Sequence, residues 1–218
     1  MENCIKPGIL PDEVTIEFRK LKNNIFQLLK DQAPCKSIMV ASSIHMEGNS
    51  ITSINLSHVI AEELHSKVLL IDLNFRSKSK HYGKNQPKGL SDFFQDGFQL
   101  ESIIKRTNLQ NLFLLPSGST ECDPPKIVES KEFSDLMDAL KKEFSYIIID
   151  SSPFQYYPES IMLASKVDGV ILVVQAEGVR REIVIDTKKK LNAVNANILG
   201  VVLNRKKHYI PKSIYTRL

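Results

Sequence analysis

Residues 37–56, SIMVASSIHMEGNSITSINL, constrain the fold of this chain more than any other stretch. Ser37 to Ala41 is a short apolar run that reads as a buried strand. Ser42 to Gly48 forms a polar turn, and a helix restarts from about Ser50. In such a unit, backbone N–H groups of the turn and first helical turn converge on one concavity, where the helix dipole favours an anion. The phosphate-loop pattern G-x-x-x-x-G-K-[ST] is present in part. Gly48 and Ser50 fill the last glycine and hydroxyl positions, but Asn49 stands at the lysine and Ser43 at the first glycine.

The rest of the chain repeats the alternation of strand and helix. An irregular arm, 1–12, ends in Pro11 and Asp12, which are helix-start signals. From Glu13 to about Lys30, Phe18, Leu21, Ile25 and Leu28 recur at helical spacing, giving a face that the body or another subunit must cover. After the helix from Ile51 to about Leu64, Val68 to Ile71 is a continuous apolar run, as in a parallel sheet covered on both faces. Residues 77–88 read as a basic loop, 89–95 and 99–105 as short helices, 111–118 as strand and loop, and 131–143 as an amphipathic helix. SYIIIDSSP then reads as a strand, 159–164 as a helix, 168–176 as a strand, 181–191 as a helix and 198–204 as a strand. The expected class is α/β, a mostly parallel central sheet of five or more strands with helices on both faces.

Two strands end in carboxylates, Asp72 and Asp150, at the edge where ligands bind in such sheets. A magnesium–ATP site needs N–H groups around the phosphates, a cation over the β/γ bridge, a hydroxyl on the metal and carboxylates around it. Residues 43–50 supply the first, Ser50 the third, and Asp72 and Asp150 the fourth. The cation is missing because Asn49 is neutral. His45 and Arg76 are the candidates to replace it. His58, His65, His81 and His208 form no metal spacing.

Bulk properties narrow the setting. With 218 residues and 42% hydrophobic content, one domain over 13–205 is expected. No run approaches the roughly 18–20 apolar residues of a membrane span. The start, MENCIKPGIL, lacks the apolar core of a secretory signal, and Cys4, Cys35 and Cys122 lack C-x-x-C spacing. A reducing, cytoplasmic setting is therefore expected. The net charge of +4 is concentrated in a basic tail, 206–218, preceded by Arg205. Three readings stand for that tail: a solvated end, contact with anionic lipid or an acidic partner, and nucleic acid, the last without any recognition motif.

The chain resembles the bacterial tyrosine kinases of capsule and exopolysaccharide assembly, within the wider group of deviant P-loop ATPases that includes chromosome-partitioning proteins. The resemblance runs from about Glu13 to Arg205. It rests on FRKLKNNI (18–25), MEGNSITSINL (46–56), VLLIDLNFR (68–76), GLSDFF (89–94), NLFLLPSG (111–118), FSYIIIDSSP (144–153), LASKVDGVILVV (163–174) and GVVLNR (200–205). It implies ATP or ADP with Mg2+ as ligands. Glu47, Gly48, Asn49, Ser50 and Ile51 would lie around the phosphates, and Asn204 and Arg205 near the base. Ser50, Asp72 and Asp150 would hold the metal, and the two aspartates the catalytic acid positions. It also implies a membrane-embedded chain-length or adaptor protein as partner, at the inner face of the membrane, with a homo-oligomer or an active kinase as a further partner.

The departures fall on the chemistry. Asn49 replaces the family's lysine and Asn74 its second Walker A′ aspartate. His45 and Met46 replace a proline and a glycine. Ile16, Arg19 and Lys22 stand where the family has an interlocking glutamate and two arginines, and Tyr209 and Tyr215 do not make a tyrosine cluster. The resulting expectation is a kinase fold that has lost efficient phosphoryl transfer and acts as a regulatory or scaffold subunit. The alternatives are an active, non-standard tyrosine kinase and a partitioning-type positioning ATPase.

Overall fold

A computed structural model describes residues 11–29, 35–76, 87–119 and 121–206. Helix α1 (Asp12–Leu28) leads to β1 (Lys36–Ser42), α2 (Asn49–Leu64) and β2 (Val68–Leu73). Next come α3 (Leu90–Asp96), α4 (Leu100–Ile103), β3 (Lys105–Arg106), β4 (Leu112–Leu115), α5 (Pro124–Glu129) and α6 (Lys131–Glu143). The chain continues through β5 (Tyr146–Ser151), α7 (Pro158–Ala164), β6 (Gly169–Gln175), α8 (Arg181–Ala193) and β7 (Ile198–Asn204).

The sheet has seven strands in the order β3-β4-β2-β5-β1-β6-β7, all parallel except β3. The expected class is therefore observed. Continuous apolar runs form the central strands because both sheet faces are covered. In β1, Ile38 and Val40 join the core on the α1–α2 face, whereas Met39 and Ala41 join the opposite core. Val68 and Leu70 alternate with Leu69 and Ile71 in the same way along β2. Phe133, Leu136, Met137 and Leu140 of α6 close the second core. Its start is set by Ser130, whose hydroxyl accepts from the Phe133 N–H at 3.1 Å.

Three local expectations need correction. The helix expected over 99–105 stops at Ile103, and Lys105–Arg106 turns back to pair antiparallel with β4. A one-turn pairing at a sheet edge leaves almost no period to read in the sequence. Helix α5, opened by Pro124 and Pro125, was not anticipated. The basic loop expected over 77–88 lies outside the described residues for 77–86, as do most of the N-terminal arm and the tail from 207.

Candidate phosphate-binding site

β5 lies between β1 and β2, and its pairing with β2 makes Asp72 and Asp150 register partners at the C-terminal edge of the sheet. β1 runs out at Ser42 into the turn that leads to α2, bringing the helix N-terminus beside both acids. Gly48 closes this turn at φ 99°, a conformation that L side chains rarely adopt. Space forbids a side chain as well: a Cβ at Gly48 would lie 2.1 Å from Asn204 Nδ2. That amide donates to the Glu47 carbonyl at 2.8 Å, tying the end of β7 to the turn. Arg205 donates from its backbone N–H to Asn204 Oδ1 at 2.8 Å.

The buried Glu47 carboxylate braces the turn. It accepts from the Ile44 N–H at 2.8 Å and the Gln175 N–H at 3.0 Å. Met46 lies at φ 66° with 78% exposure, so a residue with a Cβ occupies a left-handed position. The buried Ser43 hydroxyl has no partner among the described residues. Ser50 is half-buried in the first turn of α2, and Ile51 is exposed.

Asn49 does not reach outward. Its buried amide donates to Asp150 Oδ1 at 2.9 Å and to the Ser151 carbonyl at 2.8 Å. Asp72 accepts from the Asn74 N–H at 2.9 Å and the Ser117 hydroxyl at 3.1 Å. Burial, reinforced by the nearby Asp150 charge, pushes the Asp72 carboxyl up to about 7. Asn74 Oδ1 accepts from the Ser152 hydroxyl at 2.9 Å, so this second amide is also tied to the strand-end loop.

The rim joins His45 and Arg76, the two expected stand-ins for the cation, to Tyr156 and Tyr157, which the sequence does not single out. His45 stacks on Tyr156 with ring centroids 4.9 Å apart, and its Nε2 lies 3.3 Å from the Tyr157 hydroxyl. Arg76 lies over the Tyr157 ring at 5.1 Å and pairs through Nε with Glu159 at 3.2 Å. The second Glu159 oxygen is buried without a partner among the described residues. The adjacent tyrosines after Asp150-Ser-Ser-Pro were the available signal, but only the fold shows that they meet His45.

This donor set partly fits a magnesium nucleotide. Ser50, Asp72 and Asp150 are hard oxygen donors suited to Mg2+, and the turn and helix start retain N–H groups. Asn49 brings no charge to the β/γ bridge, and Asp150 already accepts its amide. Arg76 is held by Glu159 and Tyr157, and His45 by its two tyrosines.

A left-handed glycine between a buried strand and a helix, with two strand-end acids alongside, defines the P-loop nucleotide-hydrolase fold. Residues 35–198 match the family described as AAA domain. The tyrosine-protein kinase CpsD of Streptococcus pneumoniae is 33% identical over 173 residues, 78% of this chain and 76% of that protein. The crystal structure of the chimerical protein CapA2B2 is 28% identical, covers 88% of this chain and 85% of its own, and has a TM-score of 0.81. The septum site-determining protein MinD of Pyrococcus horikoshii OT3, complexed with Mg-ADP, shares the fold. It is 22% identical, with a TM-score of 0.64 over 84% of this chain and 76% of its own. The chain belongs to the AAA domain family and, within it, to the bacterial tyrosine-protein kinase family. No described helix is long and apolar enough to cross a membrane.

Proposed function

We propose that this chain is a regulatory or scaffold member of the tyrosine kinase family, acting in exopolysaccharide or capsule assembly, with impaired phosphoryl transfer. The observation that carries this reading is Asn49, whose neutral amide is spent on Asp150 and the Ser151 carbonyl. A lysine at this point would place a positive charge on the transferring group. Losing such a charge costs several kcal/mol in the transition state, by analogy with the ~3–4 kcal/mol of one lost oxyanion donor. Ground-state binding depends less on it, because the N–H groups of the turn remain.

Asn74 supports the same reading, since an amide here accepts from Ser152 where a carboxylate would hold metal. When bound, Mg2+ would neutralise charge on the nucleotide phosphates, with Ser50, Asp72 and Asp150 as its protein ligands. The chain's own residues orient that assembly: Glu47 shapes the turn, and the Asn204 amide donates to the Glu47 carbonyl next to its glycine. The partner in this reading is a membrane-embedded chain-length or adaptor protein, or an active kinase of the family.

Titration calorimetry of Mg-ATP and Mg-ADP, together with a tyrosine-phosphorylation assay, on the natural chain and the Asn49→Lys, Asn74→Asp double variant tests this. The expected result is weak or no turnover by the natural chain, with tighter Mg-ATP binding by the double variant. Tyrosine phosphorylation by the natural chain at the rate of the double variant would overturn the reading.

A further inference from the structure

The sheet ends in an apolar edge that the described residues leave open. β7 is the last strand and pairs with β6 alone among them. Val201 is 58% exposed and Leu203 55%, whereas the core strands are almost fully covered. A Cβ built at Gly200 would meet nothing within 4 Å. Between β7 and α1 runs a groove of about 360 Å3, lined by Leu21, Ile25 and Leu28 on the helix and Leu199, Val201 and Val202 on the strand. An exposed apolar edge of this kind templates pairing with another strand.

The chain itself has a segment of matching length and chemistry. Arg205, at φ 55°, bends the backbone directly after β7. Twelve residues, 207–218, follow the described part. The last seven, KSIYTRL, are rich in β-branched and aromatic residues and contain no acid. Seven extended residues span about 23 Å, the length of a seven-residue strand such as β7. The intervening residues are enough for the reversal that antiparallel neighbours need, and Pro211 would fall in that connection rather than in a paired strand. In an extended strand, Ile214, Thr216 and Leu218 would share one side by period two.

We propose that the C-terminal segment 212–218 docks on the β7 edge as an added antiparallel strand, placing Ile214 and Leu218 over the groove between α1 and β7. The segment thereby covers Val201 and Leu203 and makes the basic end part of the domain surface. This proposal is independent of nucleotide binding.

Hydrogen exchange of the full chain tests it, alongside Ile214→Asp/Leu218→Asp and, separately, Val201→Asp/Leu203→Asp. Amides of 212–218 should exchange at least ~10-fold slower in the natural chain than in either variant, with β5 protection unchanged as the control for folding. Unstructured exchange rates across 212–218 in the natural chain would overturn it. So would protection that grows with protein concentration, which assigns the edge to a second copy. Protection seen only with phosphatidylglycerol vesicles would also overturn it, by assigning the segment to lipid.

Discussion

The carboxamide of Asn49 donates to Asp150 Oδ1 at 2.9 Å, joining the first turn of α2 to the end of β5. Its second hydrogen goes to the Ser151 carbonyl at 2.8 Å, and its oxygen lies 3.4 Å from the Ser42 hydroxyl. The residue that replaces a lysine is thus an internal strut. Its three partners lie on the two strands that flank the site.

Asn49→Ala removes both donors from buried acceptors, each of which costs about 1–3 kcal/mol when stripped of a partner. A loss of stability of about 2 kcal/mol is expected in chemical denaturation. Asn49→Lys should recover part of it, because its ammonium can donate to the same Asp150 carboxylate.

Asp72 makes stability depend on pH. Its folded-state value of about 7 lies above the ordinary carboxyl value of 3.8, so the folded chain binds more protons between those values. The stability this gives is fully present below about pH 4 and is lost as pH rises through about 7. Asp72→Asn should flatten that slope, as measured by urea denaturation midpoints at pH 5 and 8. The opposite slope, or none in the natural chain, would contradict the burial argument.

Gly48→Ala combines two costs, a left-handed φ of 99° and a Cβ 2.1 Å from Asn204 Nδ2. The first alone costs about 1–2 kcal/mol for an L residue. Thermal melts should show a clear loss, with Asn204→Ala restoring only the steric part in the double variant. Equal stability of Gly48→Ala and the natural chain would show that the turn adjusts.

Arg19 and Lys22 of α1 both pair with Glu63 of α2. Lys22 is buried and Glu63 partly exposed, so the network is worth less than a fully buried one. The Lys22 hydrogen bond is the main reason that the Glu63 carboxyl is held below the usual range. Glu63→Gln should destabilise the chain by about 1 kcal/mol at pH 7. The difference from the natural chain should disappear as pH falls through the lowered Glu63 value.

Much of the fold was legible because apolar runs and helical spacing are local signals. Val68 to Ile71 read as a doubly covered strand, and Phe133, Leu136, Met137 and Leu140 as a helix face; both stand as such. The strand at Lys105–Arg106 is not legible, and Lys105 reads as the end of a helix over 99–105, because a two-residue pairing depends on where β4 lies. Gly48, Asp72 and Asp150 were legible as one candidate site, since each marks a strand or helix end. The rim formed by His45, Tyr156, Tyr157 and Arg76 was not, because more than a hundred residues separate His45 from its tyrosines.

By itself the sequence determined the strand–turn–helix unit, the two strand-end acids and the loss of the lysine charge at Asn49. These follow from residue type and short-range spacing, which act before distant segments meet. Only the tertiary structure decided what the changed residues do instead. Asn49 holds Asp150, Asn74 accepts from Ser152, and Lys22 turns inward to Glu63. The physical reason is that a buried polar group must find a partner, and the packing of distant elements determines which one is within reach.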